Sequence, residues 1–125
     1  MAAGRFLSEL HIRQLSDGQW AALTAPLTYV DDDGTSYTVP FDYPTNLESI
    51  PRGLWNIFPK WGKGARAGVV HDYLCDTKPL DSDQVHALYR RALKACEVSR
   101  FEQHVKFWSV KIGGPNFKAR PVEVT

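Results

Sequence analysis

Two ionisable residues stand side by side in an apolar run, Val69-Val70-His71-Asp72-Tyr73-Leu74. Histidine is the side chain best suited to move protons near neutral pH. A carboxylate beside it can orient the ring or hold a cation. Flanked by core-type residues, both groups need partners, because burying them unpaired costs several kcal/mol. The plainer reading is therefore a hydrogen-bonded His71–Asp72 pair that locks a helix to its surroundings. The sharper reading is a catalytic pair: neighbouring helix residues point about 100° apart, so His71 can face a substrate while Asp72 faces a metal.

Two further segments supply groups that could complete a site. Thr45-Asn46-Leu47-Glu48-Ser49-Ile50-Pro51-Arg52 packs hydrogen-bonding side chains into one turn. Its simplest role is to cap a short helix from Pro51 to Ile57. Arg52 can also fork onto a carboxylate such as Asp72 or Asp83, and the turn can close a site around His71. Asp83 opens the next helix, where the helix dipole favours an acid. Two helices joined by about six residues normally pack antiparallel, which lets Asp83 orient His71 from the facing helix. We therefore expect Asn46, Ser49, Arg52, His71, Asp72 and Asp83 to converge. His11, His86 and His104 have no comparable setting and read as surface or structural.

The elements around these residues fit an α+β fold, with antiparallel hairpins first and about three helices last. Leu10 and Ile12 alternate with His11 and Arg13, the period of a half-buried strand. Asp17-Gly18 makes a turn, and a second strand runs from Trp20 to Leu23 until Pro26. Leu27–Val30 and Thr35–Val39 flank Asp31-Asp32-Asp33-Gly34, a hairpin signature. Tyr29, Tyr37, Val39 and Phe41 are expected on one face of it, with Pro40 and Pro44 ending the ladder. Trp55, Phe58 and Trp61 enrich an irregular middle stretch from Pro44 to Gly64. Helices follow at 65–75, from Asp81 to near Val98, and from Ser99 to Gly113. Asp81-x-x-Gln84 and Ser99-x-x-Glu102 are capping boxes, and Gly113-Gly114 stops the last helix. Val85, Leu88, Ala92, Val105, Trp108 and Ile112 should be core, at a junction of the sheet with the last two helices.

Composition narrows the function classes. The 125 residues suit one domain spanning 1–125, with a core from about 8 to 114 and an extended or flexible tail at 115–125. Lys and Arg number 15 against 14 Asp and Glu, so no broad basic field exists to bind nucleic acid. The clusters Lys60, Lys63, Arg66 and Arg90, Arg91, Lys94 read as solvated helix faces. Cys75 and Cys96 lack zinc-site spacing and read as free buried thiols, though one bridge between neighbouring helices stays open. The first residues are too polar for a signal peptide, and no apolar run approaches the roughly 18 residues of a membrane span. We expect a protein of its producer's cytoplasm, or of a particle that leaves it, with no transmembrane segment.

Taken in order, these motifs resemble the phage and prophage family called domain of unknown function 1353. Its pattern is hairpins, a Thr-Asp-x-x-Ser-Ile-Pro-Arg turn, a Trp/Pro-rich loop, a helix with His-Asp-Tyr-Leu, and a helix with an early Asp. Here the matching stretches are 45–52, Phe58-Pro59-Lys60-Trp61-Gly62, His71-Asp72-Tyr73-Leu74 and Asp83, so the likeness runs from Leu10 to Gly113. Asn46 stands where the family usually has Asp; it keeps the turn-forming oxygen and lacks the charge. The resemblance implies a bacteriophage protein, virion- or tail-associated, structural or for assembly. Its partners would be other phage structural proteins, its location the virion or host cytoplasm, and no cofactor is expected. Thr45, Asn46, Ser49, Arg52 and Tyr73 would then form a binding or structural site with His71 and Asp72.

A local stretch is also similar to the secreted calcium-dependent phospholipases. In that alternative the protein is a hydrolase, phospholipase-like or acting on the cell envelope. His71 activates water, Asp72 binds calcium with loop carbonyls, and Asp83 holds His71. The disulfides of that class are missing, and Trp61-Gly62-Lys63-Gly64 lies too close to His71 to copy its calcium loop.

Overall fold

The computed structural model describes residues 4–17, 20–46 and 62–113. The expected short helix at 51–57, the aromatic loop, and Ser49 and Arg52 lie outside them. Among the described residues six short strands precede three helices: β1 Arg5–Phe6, β2 Ile12–Gln14, β3 Ala21–Leu23, β4 Leu27–Val30, β5 Ser36–Val39, β6 Pro44–Thr45, then α1 Ala65–Thr77, α2 Ser82–Ala95 and α3 Arg100–Gly113. The architecture is α+β, as the alternation of patterns implies. The strands form two antiparallel sheets of three, ordered β1-β4-β5 and β2-β3-β6.

The β4–β5 hairpin forms for local reasons. Gly34 takes φ +88°, a backbone region glycine enters without a Cβ clash. Its N–H donates to the Asp31 carbonyl at 2.9 Å, and the Asp31 N–H donates to the Thr35 carbonyl at 2.8 Å. The register sets Tyr29 opposite Tyr37 and Leu27 opposite Val39. Phe41 does not join this face and is exposed. Pro40 ends the ladder at Val39, and the chain turns at Asp42, which has φ 68°. Pro44 does not terminate pairing: it sits in β6 opposite Ala22. An edge strand tolerates its missing N–H. The β2 residues, expected to be half-buried, are exposed on both faces.

The Asp81–Gln84 capping box forms, whereas at α3 only the Ser99 half does, because the Glu102 carboxylate turns to Lys106. The Asp81 N–H donates to Gln84 Oε1 at 3.0 Å, and the Glu102 N–H donates to Ser99 Oγ at 3.1 Å. Helix α1 stops at Lys78, whose left-handed conformation lets its N–H donate to the Leu74 carbonyl. The core joins Leu23, Leu27, Tyr29 and Val39 of the sheets to Val69, Val70 and Leu74 of α1, and to Val85, Leu88, Tyr89, Ala92 and Leu93 of α2. Helix α1 packs on β4, β5 and α2, whereas α3 packs chiefly on α2. The junction with the sheet is thus made by the first two helices, not the last two.

The orientation of α3 differs from expectation. Trp108 is 41% exposed, Ile112 79% and Phe101 67%, while Lys106 and Val110 are each 2% exposed. Trp108 and Ile112 each stand two positions after a packed residue, so at 100° per residue the packed stripe lies on nearly the opposite side of the helix from the apolar one. Lys106 is tolerated there because its Nζ donates to Glu102 Oε2 at 2.8 Å, so the charge is paired while the aliphatic stem packs.

One polar staple ties the hairpin to α2. The Arg91 guanidinium forks onto Asp31, with Nε and Nη2 each 2.9 Å from a carboxylate oxygen. The same carboxylate accepts the Tyr29 hydroxyl at 3.0 Å and the Asp32 N–H at 2.9 Å. Burial alone would push the Asp31 carboxyl up, but these donors outweigh it and hold the group below the usual carboxylate range.

Candidate functional site

His71 and Asp72 sit in the middle of α1, where Val69, Val70 and Leu74 hold the helix against the core. This packing turns His71 inward, leaving it 2% exposed. Its ring lies 4.7 Å, centroid to centroid, from Tyr89 and 5.3 Å from His86. His71 Nε2 is 3.1 Å from His86 Nδ1, a hydrogen bond between two buried rings. One ring must present a lone pair and the other an N–H, so the bond requires at least one neutral imidazole.

Asp72 faces the other way, towards β6. Its Oδ2 accepts the Thr45 hydroxyl at 2.8 Å. Its Oδ1 stands 3.9 Å from His71 Nδ1, beyond direct hydrogen-bond range. Thr45 is buried in β6 and Asn46 follows it, half-buried. The structure therefore brings Thr45, Asp72 and His71 together. Tyr73, half-buried, meets Tyr43 edge-on with ring centroids 5.2 Å apart. Tyr43 in turn donates its hydroxyl to Asp76, one helical turn after Asp72. Burial first, and then the Asp76 carboxylate that accepts this bond, push the Tyr43 phenol up.

Asp83 does not take the expected place. It lies exposed in the first turn of α2, and His86, one turn further along, is the residue that reaches His71. The apolar stripe of α2 contains the signal: Val85, His86, Tyr89, Ala92 and Leu93 fall on one buried face. His86 thus belongs to the core stripe by helical spacing, and Asp83 to the solvent side.

Cys75 also comes close, with Sγ 3.7 Å from His71 Nε2. A cysteine beside a histidine suggests a nucleophile, but only a thiolate attacks. Burial, reinforced by the Asp72 and Asp76 charges, pushes the Cys75 thiol up to about 12. The thiol stays neutral near pH 7. Cys96 is buried at the end of α2, and both cysteines are free.

Calcium binding at Asp72 requires six to eight oxygen ligands. Among the described residues no group of three or more His, Cys, Asp or Glu side chains is placed to hold a metal ion. Asp72 and the Thr45 hydroxyl do not make such a cage. The arrangement does provide a buried chain of polar groups linking β6, α1 and α2. Among the described residues a cleft of about 470 Å³ lies elsewhere, beside Leu10, Lys63, Arg66 and Glu97, and another of about 120 Å³ lies beside Gly4, Asp32, Arg91 and Lys94.

The chain is 28% identical over 97 residues to the uncharacterized protein y4jT of Sinorhizobium fredii (strain NBRC 101917 / NGR234), a match covering 76% of this chain and 29% of that protein. The chain thus spans less than a third of the length of that curated relative. No solved structure matches it. Residues 21–110, which hold the hairpin, Thr45, the His71–Asp72 pair and His86, match the family described as "Protein of unknown function (DUF1353)", and the chain belongs to that family.

Proposed function

We propose that this chain is a structural or assembly component of a bacteriophage particle, tail-associated, in which His71 and Asp72 brace the fold rather than turn over a substrate. The observation that carries the reading is the enclosure of His71: 2% exposed, with Nε2 taken up by His86 and Tyr89 against its ring. A general base needs a free lone pair within reach of its proton. The Thr45 bond to Asp72 and the neutral Cys75 thiol support the same reading. The phage setting draws on the motif resemblance. On this reading the protein resides in the virion or the host cytoplasm and binds other phage structural proteins, and its net charge of +1 gives it no field for nucleic acid.

A second reading, a His71-centred hydrolase, draws on the 3.9 Å approach of Asp72 Oδ1 to His71 Nδ1. It requires His71 Nε2 to leave His86 and meet solvent. Thermal stability measured beside phage infectivity for His71→Gln separates the two. The structural role expects stability and infectivity to fall together. Wild-type stability with lost infectivity, together with calcium-dependent lipid hydrolysis by the unaltered chain, would overturn it.

A further inference from the structure

Helix α3 carries three large apolar side chains that stand exposed, Phe101, Trp108 and Ile112. Trp108 and Ile112 each stand two residues after a packed position, Lys106 and Val110, and so point about 200° away from them at 100° per residue. Phe101 falls on the same outer side. All three are well exposed. They form a crest on the side of α3 opposite α2, a ridge rather than a groove. Isolated exposed apolar residues are ordinary, but large ones in register along one helix mark a contact surface.

The charges beside the crest have one sign. Arg100 and Lys111 are exposed on α3, and Arg90 is exposed on neighbouring α2. The Arg90 guanidinium lies 5.3 Å from the Phe107 ring, and Lys111 Nζ lies 5.4 Å from the Trp108 ring. These contacts hold the cations against the aromatic rim. The single acid of α3, Glu102, is paired with buried Lys106. The rim thus presents cations without a competing carboxylate from α3.

This charge pattern selects the occupant. At 100° per residue Arg100 and Lys111 lie about 20° apart around α3, so one flank of the crest carries a positive strip along the length of the helix. An anionic, apolar surface is complementary. Aromatic and aliphatic side chains on one side of a helix, rimmed by Lys and Arg, suit the boundary between lipid headgroups and acyl chains. Among the described residues no helix is long and apolar enough to cross a membrane, so α3 would lie in the bilayer plane.

We propose that the outer crest of α3 is a docking surface for an anionic phospholipid bilayer, with Phe101, Trp108 and Ile112 entering the interface and Arg90, Arg100 and Lys111 meeting lipid phosphates. No residue of the His71 cluster takes part, so this surface stands or falls separately from the structural reading of His71.

The test is co-sedimentation of the full chain with vesicles of phosphatidylcholine alone and of phosphatidylcholine mixed with phosphatidylglycerol. Binding is expected only with phosphatidylglycerol present and should weaken as salt rises. Arg100→Gln with Lys111→Gln should lower partitioning at least about fivefold, and Phe101→Ser with Ile112→Ser should abolish it while circular dichroism stays unchanged. If that double variant fails to fold, Ile112→Ser alone, at the most exposed position, is expected to reduce binding. No binding, equal binding to both vesicle types, or binding indifferent to these substitutions would overturn the proposal. So would a dimer in light scattering that dissociates with Ile112→Ser, which would assign the crest to a second copy.

Discussion

His71 Nε2 and His86 Nδ1 lie 3.1 Å apart, joining the middle of α1 to the second turn of α2 within the core. Both side chains are almost fully buried. The bond couples the two helices that carry most of the apolar interior, and it exists only while at least one ring is neutral. Asp72, next in sequence, makes the link to β6 through Thr45. Two adjacent residues thus brace α1 on two sides.

Removing one ring should therefore be costly. His71→Gln and His86→Leu are each expected to destabilise by about 1–3 kcal/mol, the range for disrupting a buried hydrogen bond. The double variant should cost less than the sum, with a coupling of about 0.5–3 kcal/mol. Urea unfolding of the four proteins measures this, and strict additivity would show that the rings do not interact.

The Asp31–Arg91 staple gives a pH dependence of known sign. Asp31 is held below its ordinary value in the folded chain, so the unfolded chain binds its proton more readily. Its stabilisation is fully present above the unfolded carboxylate range and is lost as pH falls through the folded value. Asp31→Asn is expected to cost about 1–3 kcal/mol at neutral pH, discounted towards the lower end because Arg91 is partly exposed. The gap between variant and parent should shrink in acid. A gap that is constant with pH would argue against the ion pair.

The two faces of α3 should respond in opposite ways to substitution. Val110→Ala, at a buried position, is expected to cost about 2 kcal/mol from lost apolar burial. Ile112→Ser, at the exposed crest, should fall within about 0.5 kcal/mol of the parent. Melting curves of the two variants check this ordering, and a larger loss at Ile112 would mean that α3 packs through its crest.

Gly64 reports on the same junction. A Cβ there would lie 3.0 Å from Leu93 Cδ2, 3.1 Å from Lys106 Nζ and 3.4 Å from Glu102 Oε2. Gly64→Ala is expected to destabilise by about 1–3 kcal/mol through overpacking, although its φ of −86° suits alanine. Unchanged thermal stability would show that α2 and α3 stand further from the start of α1.

Cys75 tests the neutral character of the His71 surroundings. A thiol pushed up to about 12 carries only about one thiolate in 10⁵ at pH 7. Alkylation by iodoacetamide should be slow in the folded chain and fast after denaturation. Rapid alkylation of folded protein at neutral pH would reveal a Cys75–His71 ion pair and revive a nucleophilic role.

The sequence alone determined what is decided within a few residues. The Asp31–Gly34 hairpin turn, the Asp81–Gln84 box and the Ser99 cap depend on hydrogen bonds between near neighbours, so composition and spacing identified them. The same holds for the succession of hairpins and helices, because periods of two and about 3.6 are local properties. Which face of a helix meets which neighbour is not local. The stripe of Phe101, Trp108 and Ile112 showed that α3 has an apolar side, but tertiary packing put Lys106 and Val110 inward, since Glu102 neutralises Lys106 there. The partner of His71 was settled in the same way. Asp83 offered the more familiar chemistry, yet it points to solvent, and the phase of α2 carries His86 to the ring instead.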